Sequence, residues 1–431
     1  MGSPSLIAAA IVFVTLAGGM WIGWALTAVG IISLELFRSM PVGKFLAQDF
    51  WTTMTSPELI ALPLFILMGE ILFHTKLSEH LFRGMAPWTH RLPGGLVHVN
   101  VLACTLFAAA SGSSAATTAT VGRITLTELD RRGYDKDIAM GSLSGAGTLG
   151  IMIPPSIPMI VYGVLTSVSI LQLFTAGIVP GLLLAAAFML YIGMRAVLRG
   201  EKLPGASEGF TWADRLTGLL YLMPTVLLVA MVIGSMYAGY AGPSEAAAVG
   251  VLGAMLIALA QRTLNWRTLR MSALATVRTC SMLGLILAGA LFLSKAMTLL
   301  GVPKLVAVSI GELGLGPYAL IAVLLVFYVT LGMFLDGLSI IVMTVPITYP
   351  LVTAAGFDPI WFGVFLVIVI EMSAITPPVG FNLFVIQSMT KESVARIARA
   401  SFPFFLIMVL LVAILTLYPN AIYLLSRAKG G

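Results

Sequence analysis

The chain has 431 residues, of which 59% are hydrophobic and 10% charged, and its mean hydropathy is +1.02. A water-facing surface carries roughly 25% charged residues, so this composition excludes a soluble enzyme, a disordered protein and a nucleic-acid module. The net charge of +6 does not restore nucleic-acid binding, because the basic residues cluster at the ends of apolar segments, where they set membrane topology.

At about 20 apolar residues per crossing, the chain has room for on the order of a dozen membrane segments. Apolar runs such as Leu182 to Ile192 do not alternate with polar residues, which argues against a β-barrel. The expected class is therefore an all-α polytopic protein, multi-pass in the lipid bilayer.

In chain order, the first apolar run extends from about Leu6 to Phe37, too long for the 7–15-residue core of a cleavable signal. His74, His80, His90 and His98 fall near predicted membrane ends and suit the interface better than a metal. Cys104 and Cys280 lie in or beside apolar stretches without metal-ligand or redox spacing, and read as ordinary buried thiols. The stretch from Gly94 to Gly122 is interrupted at its middle by Ser111-Gly112-Ser113-Ser114. Both of its flanks are basic: His90 and Arg91 before, Arg123, Arg131, Arg132 and Lys136 after. A segment with two basic flanks starts and ends on the cytoplasmic side, so it reads as a re-entrant hairpin.

Gly145 to Gly150 matches GxGxxG, but a dinucleotide fingerprint needs a strand before it and a soluble βαβ unit around it, whereas this one leads into Pro154-Pro155. Arg199 to Arg215 mixes charge, Gly and Pro and reads as a loop. It divides two related halves. Pro154 and Pro180 recur as Pro377 and Pro403, both at a shift of 223 residues, and Gly112 recurs as Gly337 at a shift of 225. The segment from Pro317 to Pro350 matches the first hairpin but has flanks poor in Lys and Arg: Lys304 and Glu312 before, Asp358 after. It should enter from the opposite side, which makes the halves inverted repeats.

The expected organisation follows. Residues 1–198 form the first half, with a hairpin over about 94–130 and a broken helix over about 138–165. A cytoplasmic linker spans 199–216. Residues 217–431 form the second half, with a hairpin over about 317–350 and a broken helix over about 359–386. Arg195, Arg199 and Lys202, then Arg262, Arg267, Arg270 and Arg278, then Lys391, Arg396 and Arg399 mark further cytoplasmic ends. Arg427 and Lys429 fit the layout less well, and Arg38 with Lys44 is ambiguous, so the orientation of the termini stays open.

Irregular backbone at membrane depth is tolerated only where protein buries it or a polar cavity receives it. A Pro-Pro pair lacks two amide donors, which should free carbonyls around Gly150 and Ile151, and around Ser373 and Ala374. Such carbonyls are hard ligands suited to Na+, and the new helix N-termini suit an anion. Ser111, Ser113, Ser114, Thr117, Thr118 and Thr120 add hydroxyls to the first hairpin; Ser373, Thr376 and Asn382 add polar groups to the second break. The set fits a cation-coupled carrier of a small carboxylate. For any one of these residues, helix packing explains Ser, Thr or Gly equally well, as at Gly141 and Gly145. Ionisable residues at depth are further candidates: Glu70, Glu245, Lys295, Asp336 and Glu371. Asp336 sits at a hairpin tip, Glu70 could cap or pair within a supporting helix, and Lys295 could reach the interface. Arg123 could meet a substrate carboxylate but suits a topology anchor better.

At these residues the sequence resembles a family. Ser111–Gly122, Gly145–Gly163, Leu331–Ile347 and Ile375–Ile386 look like the large membrane subunit of tripartite ATP-independent periplasmic (TRAP) transporters, the DctM-like family. The resemblance covers essentially the whole chain. It implies a permease of the bacterial inner membrane, not an enzyme, that takes up an organic acid anion such as a C4-dicarboxylate with Na+ as coupling ion. It implies two partners, a small membrane subunit of about four helices and a periplasmic substrate-binding protein, and elevator-type sliding against a scaffold. Carried onto this chain, the resemblance puts Na+ at Ser111, Gly112 and Ser114 with Gly147, Gly150 and Pro154, and at Asp336 and Gly337 with Pro377 and Gly380. The substrate would lie near Ser113, Pro155, Thr376 and Asn382. A self-sufficient Na+/carboxylate symporter that needs no binding protein is the second reading.

Overall fold

The computed structural model describes residues 18–200, 210–302 and 316–424, together with Ile11, Val14 and Thr15. The rest of the run before Gly18, the middle of the predicted linker with Lys202, the Lys304–Glu312 flank, and Arg427 with Lys429 lie outside the described residues. The regular elements among the described residues are all helices, with no strand.

The first apolar run is interrupted by a turn at Gly18-Gly19, where Gly19 has φ +75°. Helix α1 (Ile22–Phe37) follows, then α2 (Val42–Met54) and α3 (Ala61–Phe73). A bend of 51° separates α2 from the segment containing α3. Next comes α4 (Leu77–Thr89), which is amphipathic, and then a hairpin of α5 (Val97–Ser111) and α6 (Ser114–Arg131). Gly112 turns the tip in the left-handed region at φ +60°. The Leu96 N–H donates to Tyr134 Oη at 3.1 Å, so the two ends of the hairpin meet at its base. The first broken helix comprises α7 (Lys136–Gly147) and α8 (Leu149–Met152), then a break, then α9 (Ile157–Thr166) at a 40° bend. Helix α10 (Ile170–Leu198) closes this half.

Helices α11 (Trp212–Tyr237), α12 (Pro243–Ala260) and α13 (Trp266–Leu299) come next. α11 begins inside the span expected to be a loop. Thr211 and Asp214 cap it reciprocally, a capping box that satisfies the first free amides of the helix and starts it four residues after Ser207-Glu208. The second hairpin is α14 (Pro317–Gly332) and α15 (Gly337–Ala354). Tyr328 Oη and Thr348 Oγ1 lie 2.7 Å apart across it, and the rings of Tyr318 and Phe357 meet at its base, 6.3 Å between centroids. The second broken helix is α16 (Pro359–Ala374) and α17 (Phe381–Thr390), followed by α18 (Val394–Leu417). Both Pro–Pro peptide bonds are cis.

Six described helices are long and apolar enough to cross a membrane, or eight if each bent pair is one span. This is fewer than the dozen that length suggested, because α1, α5, α14 and α16 are apolar but shorter than 18 residues.

Two groups of helices pack against each other. In one, α13 runs along α1, α2 and α3, with α12 on α3 and α11 on α4. Close approach there depends on missing side chains: a Cβ on Gly289 would stand 2.5 Å from the Gly23 carbonyl oxygen. Lys295, considered above as a snorkelling residue, instead pairs with the buried Asp49 on α2. Glu245 caps α12 through the Gly242 N–H. The other group holds both hairpins, both broken helices, α10 and α18.

Helix α10 reports the relative direction of the hairpins. The base of the first hairpin lies at its C-terminal end: Gly94 packs on Ile192, and Asp135 pairs with Arg195 at 2.6 Å. Past the base of the second hairpin, Gly363 packs on Leu173 near the N-terminal end of α10. At 1.5 Å per residue these two contacts are about 28 Å apart along the helix. The hairpins therefore enter from opposite ends of the same spanning helix. The ion pair of Arg396 with Asp137 at 2.7 Å puts the start of α18 at the same end as Arg195, which agrees with a shared basic, cytoplasmic face.

Gly141 and Gly145 in α7 serve packing. A Cβ on Gly141 would stand 2.3 Å from the Ala400 carbonyl oxygen of α18, and one on Gly145 would meet the Phe404 ring. The obstacle at Gly141 is backbone, so Gly141→Ala must push two helices apart, at about 1–3 kcal/mol. Thermal unfolding of the detergent-purified protein should move down for Gly141→Ala. It should hold for Gly234→Ala, where nothing lies within 4 Å. Equal stability of the two variants would refute this tight α7–α18 contact.

Candidate functional site

The interruptions of both halves open onto one cavity of about 850 Å³, within the size range of small-molecule sites. Four helices begin at its wall. Ser114 to Ala116 of α6, Ile157 and Pro158 of α9, Gly337 and Leu338 of α15, and Phe381 and Asn382 of α17 all line it. Each N-terminus carries unsatisfied amides and about half a positive charge.

Each start has a local sequence cause. Ser113 caps α6 by accepting from the Ala116 N–H at 3.4 Å. Ser156 caps α9 through the Met159 N–H at 3.4 Å. Asp336 caps α15, with Oδ2 accepting from the Ser339 N–H at 3.1 Å and Oδ1 taking the Ser339 hydroxyl. α17 starts from Gly380, which lies at φ +45°, where a side chain would be strained.

The first hairpin tip is closed by its own hydroxyls. Ser111 Oγ and Thr117 Oγ1 are 2.7 Å apart. Ser114 Oγ reaches the Gly147 carbonyl at 3.0 Å and Asn382 Oδ1 at 3.1 Å, and it accepts from Asn382 Nδ2 at 2.8 Å. This buried link joins the first hairpin to the second broken helix, 268 residues away in the chain. Gly150 allows Ser113 and Ser114 to approach: a Cβ there would stand 2.7 Å from the Ser113 carbonyl oxygen. Gly112 packs in the same way on the Pro155 carbonyl. The backbone around Ser111–Ser114 and Gly147–Pro155 is thus assembled into one cluster, with Pro154 and Pro155 buried.

The second half is assembled differently. A Cβ on Gly332 would overlap the Ser373 side chain, and one on Gly337 would touch Ile370. The second hairpin therefore contacts α16 one turn before the break, while Pro377 is exposed. The Ser373 carbonyl, expected to be free, accepts the Thr376 N–H at 3.0 Å, because the helix end tightens into a three-residue turn. Thr376 Oγ1 donates to the Met372 carbonyl at 2.7 Å, and the Thr376 carbonyl lies beside Gly380.

Of the residues singled out from sequence, Ser111, Gly112, Ser113, Ser114, Asp336, Gly337 and Asn382 line the cavity. Gly147, Gly150, Pro154 and Pro155 form the layer behind them. Thr376, Pro377 and Gly380 are not part of its wall. Arg123 is exposed and lines a separate cleft with Met389. Glu70 and Glu371 also line the cavity. Thr279, from α13 across the groove, and Phe334, at the second tip, were not marked by any sequence signal; nothing in their local pattern distinguishes them from lipid-facing neighbours.

The charges of the lining decide what the cavity can accept. It presents three carboxyl groups, Glu70, Asp336 and Glu371, and among the described lining residues no Lys, Arg or His. The other oxygens are hydroxyls, amides and carbonyls, and among the described residues no three or more His, Cys, Asp or Glu are placed to hold one metal ion together. Hard, mostly neutral oxygens suit a singly charged cation better than a transition metal. Buried Thr118 Oγ1 and Glu371 Oε2 have no hydrogen-bond partner, so acceptors are available at the site.

A family model described as "Tripartite ATP-independent periplasmic transporter, DctM component" matches residues 9–421. The chain belongs to this family. It is similar to the C4-dicarboxylate TRAP transporter large permease protein DctM of Pseudomonas aeruginosa, 34% identical over 90% of this chain and 89% of the relative. It is also similar to the protein of the same description from Vibrio cholerae, 32% identical over 96% of each. The fold resembles the crystal structure of the Alcanivorax borkumensis YdaH transporter, with TM-score 0.64, 12% identity, and coverage of 96% of this chain and 97% of that one. This DctM-family chain is thus a multi-pass transporter component of the inner membrane and not an enzyme.

Thr118 gives a test of whether the orphan hydroxyls serve packing alone. A Cβ on Gly147 would stand 1.9 Å from Thr118 Oγ1, so the hydroxyl points at the broken helix. Thr118→Val keeps the shape and removes an unpartnered polar atom. Thermal stability in Na+-free buffer should hold or rise, by up to about 1 kcal/mol. A clear loss of stability there would mean that the hydroxyl already has a structural partner.

Proposed function

We propose that this permease carries a small organic acid anion, received from a periplasmic binding protein, by Na+-coupled elevator movement, with a small membrane subunit as its second partner. The observation that carries the reading is the convergence of four helix N-termini from both halves on one cavity whose charged lining is entirely acidic. The names of the Pseudomonas and Vibrio relatives support a C4-dicarboxylate as the first substrate to try.

A charge balance supports cation coupling. Four helix ends supply about +0.5 each, or about +2 together. A dianionic substrate alone already balances that charge, so every lining carboxylate that is ionised beside it must be matched by a cation. Such a site accepts the anion only together with cations, and a Na+ gradient then drives the uptake. In this reading the Ser111–Ser114 tip and the Gly147–Pro155 stretch hold one cation through hydroxyl and carbonyl oxygens. Asp336 and Gly337, with the Thr376–Gly380 turn containing Pro377, hold a second. Ser113, Pro155, Thr376 and Asn382 bracket the substrate between them. Bound cations would supply charge neutralisation, while the protein aligns the helix ends with the substrate carboxylates.

Elevator movement is supported by the division into two packed groups. The tip of the first hairpin faces α3 with little between them: a Cβ on Gly69 would stand 3.3 Å from the Ala110 carbonyl oxygen. Movement of one group past the other needs this contact to slide.

Proteoliposomes with the small membrane subunit test the coupling and the partner together. Uptake of a C4-dicarboxylate should require both an inward Na+ gradient and the binding protein. Equal uptake without the binding protein would favour a self-sufficient symporter, and uptake indifferent to Na+ would overturn the coupling. For the movement, cysteines at Gly69 and Ala110 in a chain lacking Cys104 and Cys280 should transport when reduced and stop when oxidised. Full activity of the crosslinked form would overturn sliding at this contact.

A further inference from the structure

Glu371 is the one acidic side chain of the cavity that is buried, 3% exposed, and its Oε2 has no hydrogen-bond partner. It sits on α16 among the buried apolar residues Val369, Ile370 and Met372, with its carboxyl beside the Ser114 hydroxyl. That hydroxyl has a single proton, and it already has two acceptors within reach, the Gly147 carbonyl and Asn382 Oδ1. Nor does the cavity offer a cationic side chain: its other charged groups are Glu70 and Asp336, both acidic, and the described lining holds no Lys, Arg or His. An ionised Glu371 without a partner would cost several kcal/mol, so this carboxyl carries its charge only when a cation accompanies it. A substrate carboxylate placed beside Glu371 would add about 4 kcal/mol of repulsion for charges 4 Å apart at the effective dielectric of a protein site.

We propose that Glu371 is the anionic ligand of a further monovalent-cation position, shared with Ser114 and Asn382, that lies between this carboxylate and the substrate. The position adjoins the first of the two proposed above, with which it shares the Ser114 hydroxyl, and it rests on the cation-coupled reading. Its three protein oxygens come from three different pieces of chain: the Glu371 carboxylate from α16, the Ser114 hydroxyl from the first hairpin tip, and the Asn382 amide oxygen from α17. A substrate carboxylate completes the set. Cation and substrate then bind cooperatively, because each removes the other's electrostatic obstacle. The same arrangement excludes the anion when no cation is bound, which keeps transport coupled.

Glu371→Gln keeps the shape and removes the charge, and Glu371→Asp keeps the charge and withdraws it by one methylene. Both are compared with wild type in the complete complex, by Na+ activation of C4-dicarboxylate uptake in proteoliposomes and by the rise in unfolding temperature that NaCl causes relative to choline chloride. The second readout reports ion binding without transport, since a ligand that binds only the folded protein stabilises it. For Glu371→Gln the Hill slope for Na+ should fall by about one and half-saturation should rise about tenfold, equivalent to about 1.4 kcal/mol. The Na+-specific rise in unfolding temperature should shrink. Glu371→Asp should keep the slope and raise half-saturation; if the Gln variant does not fold, this shift alone supports the proposal and its absence overturns it. Wild-type Na+ slope and thermal response in Glu371→Gln would overturn the proposal while leaving the coupled-carrier reading in place. A wild-type complex that responds to Na+ in neither measurement would instead overturn the coupled-carrier reading itself.

Discussion

A peptide group inside a bilayer has no water to bond, so wherever a membrane helix is interrupted its free N–H and C=O groups must find partners within the protein. This chain interrupts its helices at four places in its two related halves, at Gly112, around Pro154-Pro155, before Gly337 and around Pro377-Pro378. The remedy is local at three of the four helix starts, where Ser113, Ser156 and Asp336 act as caps, while α17 starts from Gly380 without a side-chain cap. It is long-range in the link from Ser114 to Gly147 and Asn382. Once these obligations draw the breaks together, a shared cavity between the halves follows, largely apolar with polar groups at the breaks. Tight backbone contacts at Gly112 and Gly150 are the steric counterpart of the same requirement.

The second consequence is electrostatic. Helix starts at the cavity bring positive partial charge without bringing a cationic side chain, so an anion can be attracted without being held by a permanent ion pair. The carboxyl groups among them act in the opposite sense. A site built from opposing fixed charges of this kind is selective for a combination of ligands. Under the coupling proposed above, this keeps the substrate from crossing without its cation. The two halves do not contribute equally: the first cluster is buried and closed by hydroxyls, while Pro377 and Phe334 are exposed.

Much of the architecture was legible because membrane helices have few permissible ways to break. Pro pairs at a constant shift and a hydroxyl-rich Gly turn point to interruption, and the basic flanks of the first hairpin point to its side of entry. Other features depended on signals that were present but weak. The Thr211–Asp214 box starts α11 within a stretch whose composition reads as loop, and Gly18-Gly19 divides an apolar run that reads as continuous. The GxGxxG run is explained by helix contact, since Gly145 packs on Phe404.

The sequence by itself determined that the chain is a helical, multi-pass, internally duplicated membrane protein of the DctM family, because hydropathy, proline spacing and charge flanks are properties of short segments. Only the tertiary structure decided which polar groups face one another. It paired Lys295 with Asp49, placed Arg123 away from the cavity and brought Ser114 to Asn382. It also left one oxygen of Glu371 without a partner. These outcomes depend on the relative positions of helices far apart in the chain, and residue order carries no local record of that distance.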